Sequence, residues 1–276
     1  MTGRNFRELL EAQWERGKFL CVGLDPDYEK IPEPGRKGSV HDTIISFNRA
    51  IIDATKDIVC SYKPNAAFYE VYGDEGMDVL RETIQYAHDQ APDVPIVYDA
   101  KRGDIGNTNE YYARAAFDHL NADAITLHPY TGSEGLAAFL ARPDKGLFIL
   151  CRTSNPGARE FQDLIVEGEP LYARVASTVA QKWNAAGNCG LVVGATYPDE
   201  IKAIRAIAPN LPFLIPGTGT QGGDLEKSVA AGKDAKGRGF IISTSRAIIF
   251  ASSGADYIEA MKAKAQEFDG AIRKAL

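Results

Sequence analysis

The stretch "VYDAKRGDIGNT", residues 97–108, decides how the chain folds. An apolar approach, Val94 to Tyr98, runs straight into Asp99, Lys101, Arg102 and Asp104. A short continuous apolar run reads as a strand buried on both faces, as in a parallel sheet covered by its crossover helices. Charge at the far end of such a strand marks the sheet's carboxyl edge, where α/β folds assemble their chemistry.

The same pattern recurs on both sides. Upstream, "FLCVGLDPD" gives a strand over 19–24 ending in Asp25, and "IVCSYKPN" gives one ending in Lys63. Downstream come "DAITLHPYTG", "KGLFILCRTSNPG", "CGLVVGATYPDE", "PFLIPGTGTQGGD" and "GRGFIISTSRAIIF". Segments of helical period separate them, among them "TIISFNRAIIDATKD", "GMDVLRETIQYAHDQ" and "PDEIKAIRAIA". The helix "FRELLEAQWERG" leads, and the long amphipathic "ADYIEAMKAKAQEFDGAIRKAL" closes. Eight strands alternating with helices predict an α/β fold, a (β/α)8 TIM barrel spanning 1–276 as a single domain. A doubly wound sheet is the rival, but "GLDPD" after the first strand is not its GxGxxG fingerprint.

Composition narrows the partners. The chain has 276 residues, 45% hydrophobic and 25% charged, with a formal net charge of −6. An acidic balance argues against a nucleic-acid or anionic-membrane partner. No run reaches the roughly 18 apolar residues of a membrane span, and the charged N-terminal segment does not read as a signal peptide. Cys21, Cys60, Cys151 and Cys189 form no CxxC pair and read as reduced, buried thiols of a cytoplasmic protein. The four histidines show no metal-ligand spacing, so no metal is expected.

The strand ends carry Asp25, Lys63, Asp99, Lys101, His128, Ser154, Thr196 and Arg246. Side chains two apart share a strand face, so Asp99 and Lys101 both reach the barrel mouth. Asp104 lies beyond the strand, placed either to cap the next helix or to join the charges. A salt-bridge network closing the barrel end is the bland reading of the array. Its chemical reading is a lysine among carboxylates, which stays protonated and poised to donate. The loop 216–224 holds Gly217, Gly219, Gly222 and Gly223, whose backbone N–H groups suit a phosphate, and Arg246 follows the next strand. His128 reads as structural.

"DAKRGDIGNT" resembles the active-site signature of the orotidine 5'-phosphate decarboxylases, which make UMP in pyrimidine biosynthesis. "GLDPD", "SYKPN", "TSNPGA", "PGTGTQGGD" and "STSRAIIF" resemble further parts of that family, in its larger bacterial-type branch. The resemblance implies a tetrad of Lys63, Asp99, Lys101 and Asp104, with Lys101 protonating C6 as CO2 leaves and Asp99 set against the substrate carboxylate. It implies that Asp25 and Lys63 bind the ribose, Ser154 the pyrimidine edge, Gln221 both base and phosphate, and Arg246 the phosphate. It further implies a homodimer in which Asp104 and Thr108 enter the partner's site, with orotidine 5'-monophosphate (OMP) as ligand and no cofactor. One departure stands out. Ser245 occupies the place where many members carry glycine, so the backbone there is expected to differ. Two rivals remain open: Mg2+-dependent hexulose-phosphate synthases and ketogulonate-phosphate decarboxylases on the same barrel, and a non-catalytic nucleotide- or sugar-phosphate-binding barrel.

Overall fold

Eight short apolar segments build the centre of the molecule, in a computed structural model that describes residues 3–218 and 223–276. The strands are β1 (Leu20–Leu24), β2 (Ser61–Pro64), β3 (Val97–Arg102), β4 (Ala124–Leu127), β5 (Gly146–Arg152), β6 (Cys189–Val193), β7 (Phe213–Pro216) and β8 (Phe240–Thr244). They pair in parallel in the order β2-β1-β8-β7-β6-β5-β4-β3. Every residue of β1, β2, β4, β6 and β8 is buried, as strands covered on both faces require. The ring closes between β2 and β3 by two isolated bridges, Tyr62 with Ile96 and Asn65 with Asp99. The architecture is the expected (β/α)8 TIM barrel.

Helices of eight residues or more cover the outside: α1 (Phe6–Glu15), α2 (Val40–Thr55), α3 (Gly73–Gln90), α4 (Gly106–Arg114), α5 (Leu171–Thr178), α6 (Pro198–Ile207), α7 (Leu225–Gly232) and α8 (Tyr257–Ala275). Three begin on side-chain caps. Asn5 accepts from the Glu8 N–H, Ser39 from that of Asp42, and Asp224 from that of Lys227. Each such cap contributes about 1 kcal/mol.

The leading helix α1 seals the amino-terminal end of the barrel. The Phe6 ring packs edge-on against Phe148 at 5.6 Å, and Trp14 Nε1 donates to the Phe240 carbonyl at 2.9 Å. Both contacts fall near strand starts, so the opposite, carboxyl end is the one left open. A small antiparallel pair, Ile165–Val166 with Glu169–Pro170, follows β5.

Candidate active site

The open end holds a cavity of about 530 Å3. Asp25, Lys63, Asp99, Lys101, Ser154 and Arg246 line it, each at or just past a strand's carboxyl end. Gly217 lines it too, whereas His128 and Thr196 do not. His128 instead lies against Gly103, where it fills the space a side chain would take.

Asp99 is the hub. Its Oδ2 accepts from Lys63 Nζ at 3.1 Å and from Asn65 Nδ2 at 3.2 Å. Its Oδ1 accepts from Lys101 Nζ at 2.7 Å and from Thr126 Oγ1 at 2.8 Å. Burial by itself would raise the Asp99 pKa, but the two ammonium groups outweigh it and hold the carboxyl well below the usual carboxylate range. Burial likewise opposes the charge on Lys63, and Asp99 with Asp25 overcomes it, pushing that lysine above its ordinary value. Both groups are therefore ionised through the neutral range. The Lys63 side chain is 9% exposed, whereas that of Lys101 is 48% exposed. Both lysines line the cavity, one buried in its wall and the other half-exposed at its mouth.

The backbone under this array is irregular. Lys101 has φ +47°, a left-handed conformation that costs a non-glycine residue on the order of 1 kcal/mol or more. The β3–β4 register shifts between Tyr98 and Arg102. The expected period of two thus gives the correct partner through a bulge rather than a regular strand. Thr126 secures the distortion. Its Oγ1 accepts from the Lys101 N–H at 3.0 Å while donating to Asp99. Asn65 likewise joins the two loops, since its N–H donates to Asp25 Oδ1 at 3.1 Å and its amide to Asp99. Asn65 and Thr126 are the participants that the sequence reading missed, although each lies two positions from a residue it had singled out, Lys63 and His128.

Asp104 does not meet the other three members of the tetrad. It neither lines the cavity nor caps α4; its Oδ1 accepts from the adjacent Ile105 N–H at 2.7 Å. Thr108 is exposed on the same outer turn. On the same stretch of chain, Ile105 and Tyr111 are 62% and 66% exposed.

At the far end, Gly217 and Gly223 bring the two ends of the glycine loop together. The Gly223 N–H donates to the Gly217 carbonyl at 3.0 Å, and a Cβ at 223 would lie 2.7 Å from that oxygen. Gly219, Gln221 and Gly222 fall outside the described residues. Ser245 adopts φ −131°, outside the left-handed region that favours glycine. Gly23 makes room for it, since a Cβ at 23 would lie 2.6 Å from that of Ser245. The hydroxyls of Ser245 and Thr218 are buried and have no hydrogen-bond partner among the described residues. Among the described residues, no three His, Cys, Asp or Glu side chains group to hold a metal.

Residues 18–263 match the family described as orotidine 5'-phosphate decarboxylase / HUMPS. The chain belongs to that family. It is 49% identical over 271 residues to the orotidine 5'-phosphate decarboxylase of an Azoarcus species, covering 97% of this chain and 98% of that protein. It is 50% identical over 250 residues to that of Herpetosiphon aurantiacus, covering 90% of each. Among solved structures, the OMP decarboxylase of Leishmania donovani superposes with a TM-score of 0.84 at 41% identity, covering 99% of this chain and 100% of that one. The family spans more than one reaction, and the relatives at this identity are decarboxylases of the orotidine type, which are carboxy-lyases.

Proposed function

We propose that this chain decarboxylates OMP to UMP in pyrimidine biosynthesis, with Lys101 as the proton donor to C6. The observation that carries this reading is the asymmetry around Asp99. A buried carboxylate is held between two ammonium groups that both line the cavity, one on a buried side chain and one on a side chain that is half-exposed. In the reaction the C6–carboxylate bond breaks, CO2 departs, and the electron pair stays on C6. The Lys101 ammonium donates a proton to that carbon and regains one from solvent. A cation preset at the place where negative charge develops stabilises the transition state without reorganising then.

Asp25 and Lys63 bind the ribose hydroxyls in this reading, and Ser154 meets the pyrimidine edge. Arg246 holds the phosphate beside Gly217 and Gly223, with Gln221, Gly219 and Gly222 completing the loop. The buried Ser245 hydroxyl, beside Arg246 in the cavity wall, suits an anionic oxygen. Binding energy taken up at this remote end is available to order the reacting end. Every step uses groups of the chain itself, and no cofactor is invoked.

The chain acts as a homodimer in this proposal. Asp104 and Thr108 lie outside their own subunit's cavity, beside exposed Ile105 and Tyr111, and so are free to enter the partner's site. Mixing inactive Lys101→Ala and Asp104→Asn proteins tests this. Mixed dimers hold one intact site each, so about a quarter of wild-type activity returns; no recovery after subunit exchange contradicts a shared site. The cytoplasm is the proposed compartment. The four cysteines are free, and among the described residues no helix is long and apolar enough to cross a membrane.

The decisive assay follows OMP absorbance with and without EDTA. Turnover unaffected by the chelator is the expected result. Loss of activity with EDTA, restored by Mg2+, supports the metal-dependent sugar-phosphate reading, and nucleotide binding without turnover supports a non-catalytic barrel.

A further inference from the structure

The segment 153–163 carries Thr153, Ser154 and Asn155 into the cavity wall, yet it has almost no hydrophobic anchor. Between these limits Ala158 is the one buried residue. A loop so poorly buried keeps one position only if polar contacts fix its ends.

Arg152, the last residue of β5, provides such contacts. Its side chain is 1% exposed, which is unusual for an arginine. Nε donates to Glu200 Oε2 at 2.6 Å and Nη2 to Glu200 Oε1 at 3.1 Å, a bidentate pair with the first turn of α6. Nη1 lies 2.9 Å from Asp163 at the far end of the segment. The guanidinium also lies 5.5 Å from the rings of both Tyr172 and Tyr197. Next to it, Gln162 folds back on the segment's beginning. Its Oε1 accepts from the Thr153 N–H, and its Nε2 donates to Thr153 Oγ1, both at 2.9 Å. The far end of the segment is thus ion-paired with one buried cation, its beginning is tied to Gln162, which that cation also reaches at 3.5 Å, and the cation is itself pinned to the neighbouring βα unit.

We propose that Arg152 is a positioning residue for base recognition: with Glu200 and Asp163 it fixes the 153–163 segment so that Ser154 meets the pyrimidine, while leaving the phosphate end untouched. The inference rests on the proposed decarboxylase reading, and it makes a demand that a general structural role does not. Arg152 ends β5 and pairs with α6, whereas Gly217 and Arg246 lie just past β7 and β8 respectively. Loosening Arg152 therefore separates recognition of the base from recognition of the sugar phosphate. The planar fork matters as well as the charge, so lysine is a poor replacement.

The test measures affinities for UMP and for ribose 5-phosphate in wild type, Glu200→Gln, Arg152→Lys and Arg152→Met. Glu200→Gln keeps the side chain's shape and removes its charge, so it is the variant of choice if Arg152→Met does not fold. Retained ribose 5-phosphate binding verifies the fold within the same experiment. Expected is a loss of about tenfold or more in UMP affinity in Glu200→Gln and Arg152→Lys, approaching about 100-fold in Arg152→Met, as displacements near 1 Å produce. Ribose 5-phosphate affinity stays within about twofold in each protein that folds. Equal weakening of both ligands, or unchanged UMP binding in the variants, overturns the inference while leaving the decarboxylase reading intact. A wild-type protein that binds neither ligand and does not turn over OMP overturns both.

Discussion

At the β3 side of the cavity each oxygen of Asp99 receives two hydrogen bonds, while at the β7–β8 side the hydroxyls of Thr218 and Ser245 have no partner among the described residues. The first region is complete by itself. Its charges neutralise one another, and its strained backbone is held by Thr126. The second leaves buried hydroxyls unmatched, that of Ser245 in the cavity wall. In the proposed function, this contrast is how one cavity divides its work between a reacting end and a phosphate end. The reacting end is organised in advance, which is where preset electrostatics act on a developing charge. The phosphate end is left for a ligand to complete, which is where binding energy is gained.

The largest break in this comparison comes from Asp99→Asn. It leaves the buried Lys63 ammonium without its main counter-charge, and the loss of one partner from a buried pair costs about 3–5 kcal/mol. Turnover is expected to fall by about 10²–10⁴-fold, measured in the OMP assay, with a lower midpoint of thermal unfolding. The pH dependence has a definite sign. The folded-state pKa of Asp99 lies below its unfolded value of about 3.9, so its contribution to stability is present above that pH and fades as pH falls through the folded value. Lys63 is raised, so its contribution is complete below about pH 10.4 and fades only as pH rises through the higher folded value. The stability gap between wild type and Asp99→Asn is therefore level from about pH 5 to 7 and narrows below about pH 4. A gap that changes across the neutral range contradicts the assigned charge states.

Thr126→Val sharpens the comparison by one hydroxyl. It strands the Lys101 N–H and withdraws a donor from Asp99, a cost of about 1–3 kcal/mol. The expected result is a drop in kcat of roughly ten- to 100-fold, with Thr126→Ser restoring most of it. A kcat equal to that of wild type in Thr126→Val shows that the bulged backbone holds without this contact.

Ser245→Ala has the smallest expected effect and tests the other region. Loss of one hydroxyl donor costs about 0.5–1.5 kcal/mol, which weakens UMP roughly two- to tenfold. Uridine, which lacks the phosphate, binds Ser245→Ala and wild type alike. Equal weakening of uridine and UMP removes Ser245 from the phosphate end.

The barrel was legible because buried parallel strands leave unbroken apolar runs and because each ends in a charge or a turn. The pairing of Asp99 with Lys101 was legible from their spacing. Its backbone was not, since positive φ at a lysine follows from contacts that only the closed barrel makes, at the β2–β3 seam and with Thr126. Asn65 and Thr126 were hidden differently. A single polar residue in an apolar run carries no mark of what it touches. Arg152 was hidden by sequence distance, because its main partner Glu200 lies 48 positions away on another βα unit. Asp104 shows a limit of local reading. Its spacing left open whether it caps the next helix or joins the charges, and in its own subunit it neither caps α4 nor lines the cavity.

The central claim, that Lys101 is an ammonium preset by Asp99 to protonate C6, is tested most directly by measuring OMP turnover and UMP affinity side by side in Lys101→Ala. Turnover is predicted to fall by about 10³–10⁴-fold while UMP affinity stays within roughly tenfold of wild type. Turnover near the wild-type rate in a variant that binds UMP normally contradicts the claim.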